Sequence, residues 1–278
     1  MNCRQGIRKK DMDRTIPFNK IKSCRHGIVC YNQNDMYIGK SFDLYGEFSE
    51  EEISLFRLLV TEKDVVLDIG ANIGAQTLFL AKAFGPNGQV HAFEPQRIVF
   101  QTLCANMALN HITNAFCYNS ALGKSPGSVL VPQVRPWDHF NFGGLSLGSY
   151  QLGEEVEVKT IDGLNLSACS FIKIDTEGME LDVLMGAANT IGTLQPILYV
   201  ENDRKDKSAA LTKYIDSLGY DMYWHKPRLY NPENFFNNPE NVFGDIVSLN
   251  MICLPRSRGG VLQKYEKVVV PKSFELCS

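Results

Sequence analysis

Acids and amides sit at the ends of five short apolar runs in this chain: Asp68 in "VVLDI", Glu94 after "QVHAF", Asn119 after "AFCY", Asp175 after "FIKI" and Glu201 after "ILYV". The first of them opens a glycine loop, "DIGANIG", containing Asp68, Gly70, Asn72 and Gly74. A dinucleotide loop would read G-x-G-x-x-G and lay a pyrophosphate on a helix N-terminus. Here there is one glycine fewer, and the leading carboxylate would repel a pyrophosphate in a poorly screened cleft. That carboxylate suits a ligand with an ammonium group and a sulfonium beside its ribose, which is the description of S-adenosylmethionine. Further on, Glu94 stands where an acid accepts hydrogen bonds from both ribose hydroxyls, a position that nicotinamide enzymes share. Ser120 and Ala121 follow the third run and are expected to flank an adenine.

A second group of residues has the types needed to act on an acceptor. Methyl transfer to a hydroxyl is an in-line displacement, with the oxygen held about 3–3.5 Å from the methyl carbon. A positioned base is worth about 10²–10⁴ in rate. Asp175 and Glu177 in "KIDTEGME" and Glu201 in "YVEN" are the candidates for that role, with Gly178 allowing a tight turn. Glu180 is expected to open a helix, where the dipole favours an acid, and Lys173 to pair with a carboxylate. Asp175 together with Glu201 and Asn202 has the layout of magnesium-dependent catechol-type methyltransferases. Three oxygen ligands and waters would complete a Mg²⁺ octahedron, which would lower the acceptor hydroxyl's pKa. The alternative is that Glu201 and Asn202 only hydrogen-bond the acceptor. His225 in "YWHKP" is a further candidate base, or else a structural hydrogen-bonder.

These residues need a sheet to hold them. From Asp64 onward, strand-like runs alternate with helical stretches such as "AQTLFLAKAF" and "QRIVFQTLCANMALN", as in a parallel sheet covered on both faces. "GYDMYWH" and "DIVSLNMICL" suggest an antiparallel C-terminal hairpin. The expected fold class is α/β: a Rossmann-like, doubly wound, seven-stranded sheet, mostly parallel, binding its ligand beyond the strands' carboxyl ends. Residues 1–48 are expected to form an N-terminal extension with short β segments, including "GIVCYN" and "MYIGKSF". The methyltransferase domain is placed at 49–256 and a tail at 257–278. Within the domain, "SEEEISLFRLLV" reads as a helix with a Ser49/Glu52 capping box. An insert at about 125–160 is expected to supply an opposite wall through Asn141, Gly143 and Gly144. The aromatic, Asn-rich stretch at about 226–244 is expected to act as a pocket lid, stacking on a sugar ring, or to pack as an Ω-like loop.

Composition narrows the class. The formal net charge of -3 and pI near 6.0 argue against a general nucleic-acid binder. The eight cysteines, Cys3, Cys24, Cys30, Cys104, Cys117, Cys169, Cys253 and Cys277, include no CxxC and read as buried thiols of a reducing compartment. With no signal-like or membrane-spanning run, a cytoplasmic location is expected, and self-association is left open.

The segments "VVLDIGANIGAQTLFLA", "VHAFEPQ", "LCANMALN", "SALG", "FIKIDTEGMELDVLMGA" and "PILYVEN" together resemble the FkbM-type methyltransferases over about residues 45–256. "YWHKPRLYNPENFFNNPENVFG" and "SLNMICLPR" resemble the tail of one branch of that family. The resemblance implies S-adenosylmethionine as donor and a hydroxyl oxygen as acceptor, often on a sugar or polyketide. Two other readings fit less well. A nicotinamide-dependent oxidoreductase would need G-x-G-x-x-G and a proton donor at the fourth strand. A catalytically idle cofactor-binding protein would have no use for Asp175, Glu177 and Glu201.

Overall fold

The computed structural model describes residues 17–271 apart from 62, 149, 260 and 261. Cys3, Cys277, the chain's first 16 positions and the end of the expected tail, 272–278, lie outside the described residues. The chain enters as a hairpin of β1 (Asn19–Cys24) and β2 (Gly27–Asn32), followed by helices α1 (Ile38–Tyr45) and α2 (Glu50–Leu59). Strands and helices then alternate: β3 (Val65–Ile69), α3 (Ala75–Phe84), β4 (Gln89–Phe93), α4 (Arg97–Leu109) and β5 (Ala115–Tyr118). After β5 come β6 (Ala121–Leu122), β7 (Gly127–Val131) and β8 (Glu154–Lys159), which form a side sheet in the order β6-β8-β7. The chain returns through β9 (Phe171–Ile174), α5 (Glu180–Met185), α6 (Ala188–Leu194), β10 (Ile197–Glu201) and α7 (Lys205–Ser217). It ends with β11 (Tyr220–His225) and β12 (Asn250–Pro255).

The main sheet has seven strands in the order β11-β12-β10-β9-β3-β4-β5. The strands from β10 to β5 run parallel, and β12 lies antiparallel between β10 and β11. This is the α/β Rossmann-like arrangement expected from the sequence. Apolar side chains alternate between its two faces. Val66, Phe171, Tyr199 and Ile252 pack with Ile53, Phe56, Phe79 and Phe84 from α2 and α3. Leu67, Ile172, Leu198 and Cys253 pack with Val183, Ile191 and Ile215 from α5, α6 and α7. Both faces are covered, so the strands carry continuous apolar runs. The order of travel reverses between β3 and β9, which puts a crevice at the carboxyl ends of β3, β4, β9 and β10.

Several local readings change. "MYIGKSF" lies largely in helix α1, because Ile38, Phe42 and Tyr45 fall on one buried face at spacings of four and three. The capping box does not form: Ser49 has left-handed φ 52° and makes no side-chain cap, while Glu52 turns into the core. The stretch after Glu180 splits into two helices at Gly186, where a Cβ would lie 2.1 Å from the Gly123 carbonyl oxygen. Helix α7, which the sequence reading did not assign, buries Leu211, Thr212 and Ile215. The N-terminal hairpin is tied to α4 by two amides. Asn106 accepts from Cys30 N at 2.7 Å and donates to the carbonyls of Cys30 (3.0 Å) and Ile73 (2.8 Å); Asn110 brackets Ile28. Among the described residues, six cysteines are free thiols, and no helix is long and apolar enough to cross a membrane.

Candidate active site

A cleft of about 370 Å³ opens at the carboxyl ends of β3, β4, β9 and β10. One half is built by the glycine loop and the end of β4. Gly70, at φ +76°, lets the loop pass under the neighbouring strand end; a Cβ there would sit 1.7 Å from the Asp175 carbonyl oxygen. Gly70 and Ala71 both donate their N–H groups to the Phe93 carbonyl at 3.0 Å, which pins the loop against β4. Glu94 is 3% exposed and accepts from Asn72 N at 3.0 Å and from Gln96 N at 2.8 Å, one bond to each carboxylate oxygen. Burial pushes its carboxyl up to about 7 despite those two bonds. Each oxygen keeps a second acceptor site. Ser120 is 2% exposed, and its hydroxyl has no hydrogen-bond partner among the described residues. An orphaned buried hydroxyl on a cavity wall is the kind of group a bound ligand satisfies.

Gly70, Asn72, Glu94, Ser120 and Ala121 all line the cleft. Asp68 and Gly74 do not. Asp68 is fully buried beneath the loop, where it pairs with Lys173 at 3.2 Å and accepts from Thr77 Oγ1 at 2.6 Å. It therefore anchors the loop and the start of α3 rather than meeting an ammonium group directly. Gly74 stands at the start of α3, and a Cβ there would press on Leu103 of α4 at 2.5 Å, so its smallness serves helix packing. Tyr37, Ile38, Phe48, Gln76 and Gln96 also line the cleft and were missed from sequence. Reading α1 as a strand hid Tyr37 and Ile38. Gln76 sits in the first turn after the glycine loop, a position that could have marked it.

The other half belongs to β9, β10 and the turn after β9. Asp175, Glu177 and Glu201 each offer an oxygen, and these atoms all lie within 4.8 Å of one another. Glu177 has left-handed φ 55°, a conformation few residues other than glycine adopt. The turn is held by Glu180, which is 4% exposed and accepts from Thr176 N (3.2 Å), Thr176 Oγ1 (3.1 Å) and Gly178 N (2.8 Å). Glu180 thus acts as a local staple as well as a helix opener. Arg204 bonds Glu177 and reaches Ser146 Oγ at 3.3 Å on the insert. Burial pushes the carboxyls of Glu177 and Glu201 up, and the nearby Asp175 pushes them further. Glu201 Oε2 is buried with no hydrogen-bond partner among the described residues.

Lys173 joins the two halves from below. It is 2% exposed, bonds the Gly70 carbonyl at 3.3 Å, and pairs with Asp68 at 3.2 Å and Asp175 at 3.5 Å. Burial opposes its charge, but Asp68, Asp175 and Glu52 more than offset this and hold its pKa above the ordinary value. Glu52 in turn accepts from Gln76 at 2.9 Å, Tyr199 at 3.1 Å and Asn250 at 2.8 Å. His225 lies outside the cleft, 2.8 Å from the Tyr199 hydroxyl through Nδ1, and burial lowers its pKa to about 4. Its structural role displaces the expectation of a base. Asn202 also turns away: it is 6% exposed and bonds the Met251 sulfur at 3.3 Å, which breaks the acid-plus-amide layout. Asn119 locks the turn at Glu94 and Pro95 through their carbonyls.

The insert contributes Asn141, Gly143, Gly144, Leu145 and Leu147 to the opposite wall. The 226–244 stretch does not cover the cleft with its aromatic rings. Phe236 N donates to the Tyr45 carbonyl at 3.1 Å, Phe235 N to Glu47 at 2.8 Å, and Tyr45 OH to the Glu240 carbonyl at 2.8 Å, so the segment straps α1 in place. Only its flanks, Leu229 and residues 246–249, reach the cleft.

A sheet of this order with a ligand cleft at its switch point defines the Rossmann-like methyltransferase class of fold. Residues 68–222 match the model of the methyltransferase FkbM domain. "Methyltransferase 1" from Beauveria bassiana (strain ARSEF 2860) is 24% identical over 226 residues, spanning 71% of this chain and 90% of that protein. Among solved structures, methyltransferase FkbM from Methylobacillus flagellatus KT is 22% identical with a TM-score of 0.48 over 69% of this chain. The matched part covers 44% of that longer chain. M. jannaschii TYW2 in complex with AdoMet is 14% identical, with a TM-score of 0.46 over 91% of this chain and 88% of its own. This chain belongs to the FkbM methyltransferase family.

Proposed function

We propose that the protein transfers a methyl group from S-adenosylmethionine to a hydroxyl oxygen of a small molecule or glycan. When bound, that donor supplies an electrophilic methyl group on a sulfonium. The cleft fits it: Glu94 presents spare acceptor sites for two ribose hydroxyls, and Ser120 offers its orphaned hydroxyl beside Ala121, where an adenine would lie. The observation that carries the reading is that Asp175, Glu177 and Glu201 face the same cleft from the neighbouring strand ends. Carboxyls raised by burial and by one another are stronger bases in their ionised form, and one ionised member of the trio is enough to take the proton of an acceptor hydroxyl. Asp175, whose side chain is 41% exposed, connects the trio to solvent and lets that proton leave. Glu180 and Lys173 keep the trio in place from behind.

The experiment is transfer of isotopic methyl from the donor into an extract of the cells that make this protein, followed by identification of the labelled bond. A methyl ether is expected. Label on nitrogen or carbon would overturn O-methylation.

A divalent cation on the same three carboxylates is a second reading. It is favoured by their mutual distances and by the unpartnered Glu201 oxygen. Hard oxygen donors suit Mg²⁺, and such an ion would lower the pKa of the acceptor hydroxyl. Loss of activity on chelation, restored by Mg²⁺, is expected on this reading; activity undiminished after exhaustive chelation rejects it.

A further inference from the structure

The cleft walls that the donor does not need carry information about the acceptor. Besides the acid trio, the lining carries aliphatic side chains: Leu145 and Leu147 from the insert, Leu229 after β11, and Ile246 and Val247 before β12. Ile246 and Val247 are 44% and 40% exposed, apolar surface left open to water at the mouth of a site. Such surface beside a few convergent polar groups is the usual composition of a small-molecule pocket. These walls are held in place. Leu229 N donates to the Ile246 carbonyl at 3.1 Å and Ser248 N to the Pro227 carbonyl at 3.0 Å, while Arg204 fastens the insert through Ser146.

Charge narrows the occupant further. Asp175, Glu177, Glu201 and Asp203 all face the cleft. Of the neighbouring cations, Arg204 is taken up by Glu177 and Asp203, and Lys173, on the cleft floor, by Asp68 and Asp175. A phosphorylated acceptor or a nucleic-acid backbone would bring like charge into this poorly screened space. Tyr37, Phe48 and Phe93 add ring surface to the cleft, Tyr37 stacking on Phe243 beside the Ile246 wall, whereas Phe235 and Phe236 pack on the end of α1.

We infer that the acceptor is a neutral amphiphile, an alcohol whose hydroxyl reaches Asp175, Glu177 and Glu201 while an apolar body lies along Leu145, Leu147, Leu229, Ile246 and Val247. This rests on the methyl-transfer reading of the same cleft. The acceptor O–H gives its proton to the trio as the new C–O bond forms and the methyl–sulfur bond breaks, with the electron pair leaving on sulfur.

The test uses the full chain, methyl-labelled S-adenosylmethionine and a cell extract, with products partitioned between butanol and neutral water. Label is expected in the butanol phase. Val247→Lys and Leu229→Lys should each slow that labelling by about tenfold or more, with affinity for S-adenosylhomocysteine kept. Leu58→Lys, on an exposed position of α2, should leave it unchanged. Label confined to the aqueous phase, or full-rate labelling by both lysine variants, overturns the inference while methyl transfer stands. No label in either phase, from protein that binds S-adenosylhomocysteine, overturns the methyl-transfer reading and the inference with it.

Discussion

Replacing Glu94 with Gln removes one charge and almost no volume, and its cost follows from four acceptor sites. In the native chain Asn72 N and Gln96 N occupy one site on each carboxylate oxygen, leaving one on each for a ribose hydroxyl. A glutamine keeps one accepting oxygen and turns the other position into a donor, which faces a backbone N–H and a hydroxyl. One hydrogen bond to the ribose is lost and the other loses its charge. Bonds to charged groups are worth about 1.5–3 kcal/mol each, so the donor site weakens by about 2–4 kcal/mol, or roughly 30- to 700-fold. Screening by solvent does not dilute this, because Glu94 is 3% exposed. The assay is calorimetric titration with S-adenosylhomocysteine, with thermal unfolding run on the same samples to establish that the variant is folded. The pH dependence gives a second reading. Burial pushes the Glu94 carboxyl up to about 7, and only its ionised form accepts from both hydroxyls. Affinity in the native chain should therefore fall as pH drops through 7, and Glu94→Gln should abolish that dependence. A folded variant with unchanged affinity would refute the ribose assignment.

Asp175→Asn should bind S-adenosylhomocysteine normally and lose about 10²–10⁴ in turnover; a folded variant with full turnover would remove Asp175 from the mechanism. Gly70→Ala should lower the melting temperature and abolish donor binding, because a positive φ costs about 1–3 kcal/mol and the new Cβ strikes the Asp175 carbonyl; native behaviour in both assays would contradict the loop geometry. His225→Gln should keep the native turnover, since His225 meets Tyr199 and not the cleft; a large loss would restore it as a base. The stability difference between the native chain and Glu94→Gln should move against the native chain as pH rises. Glu94 titrates higher folded than unfolded, so its contribution is complete below about 4.5 and lost as pH climbs through 7, amounting to about 3 kcal/mol. His225, lowered to about 4, acts in the opposite sense over part of that window and cancels in the difference. A difference in melting temperature that moves the other way would contradict this sign.

Periodicity and strand-end acids made much of the molecule legible before the coordinates. The runs ending at Asp68, Glu94, Asp175 and Glu201 became strands because each is buried on both faces, which leaves little choice of conformation. Gly70, Asn72, Glu94, Ser120 and Ala121 line the cleft because position relative to a strand end is itself a sequence property. What stayed hidden depended on side-chain direction. Asp68 and Asn202 each lie one residue from a cleft-lining neighbour, yet packing against Lys173 and Met251 turns them inward. His225 has a hydrogen-bond partner 26 residues away in sequence that no local pattern announces. The aromatic stretch after Arg228 carried turn signals in abundance, but only the fold shows that it straps α1. Helix α1 was misread because its segment mixes β-formers with a helical spacing too short to stand out.

The central claim is geometric: one cleft holds a sulfonium donor by its ribose on Glu94 and points the methyl group at Asp175, Glu177 and Glu201. A crystal structure with S-adenosylhomocysteine measures this directly. The account requires both ribose hydroxyls within hydrogen-bond distance of the Glu94 carboxylate and the sulfur facing the acid trio. A ribose lying away from Glu94, or a sulfur turned from those carboxylates, would contradict it.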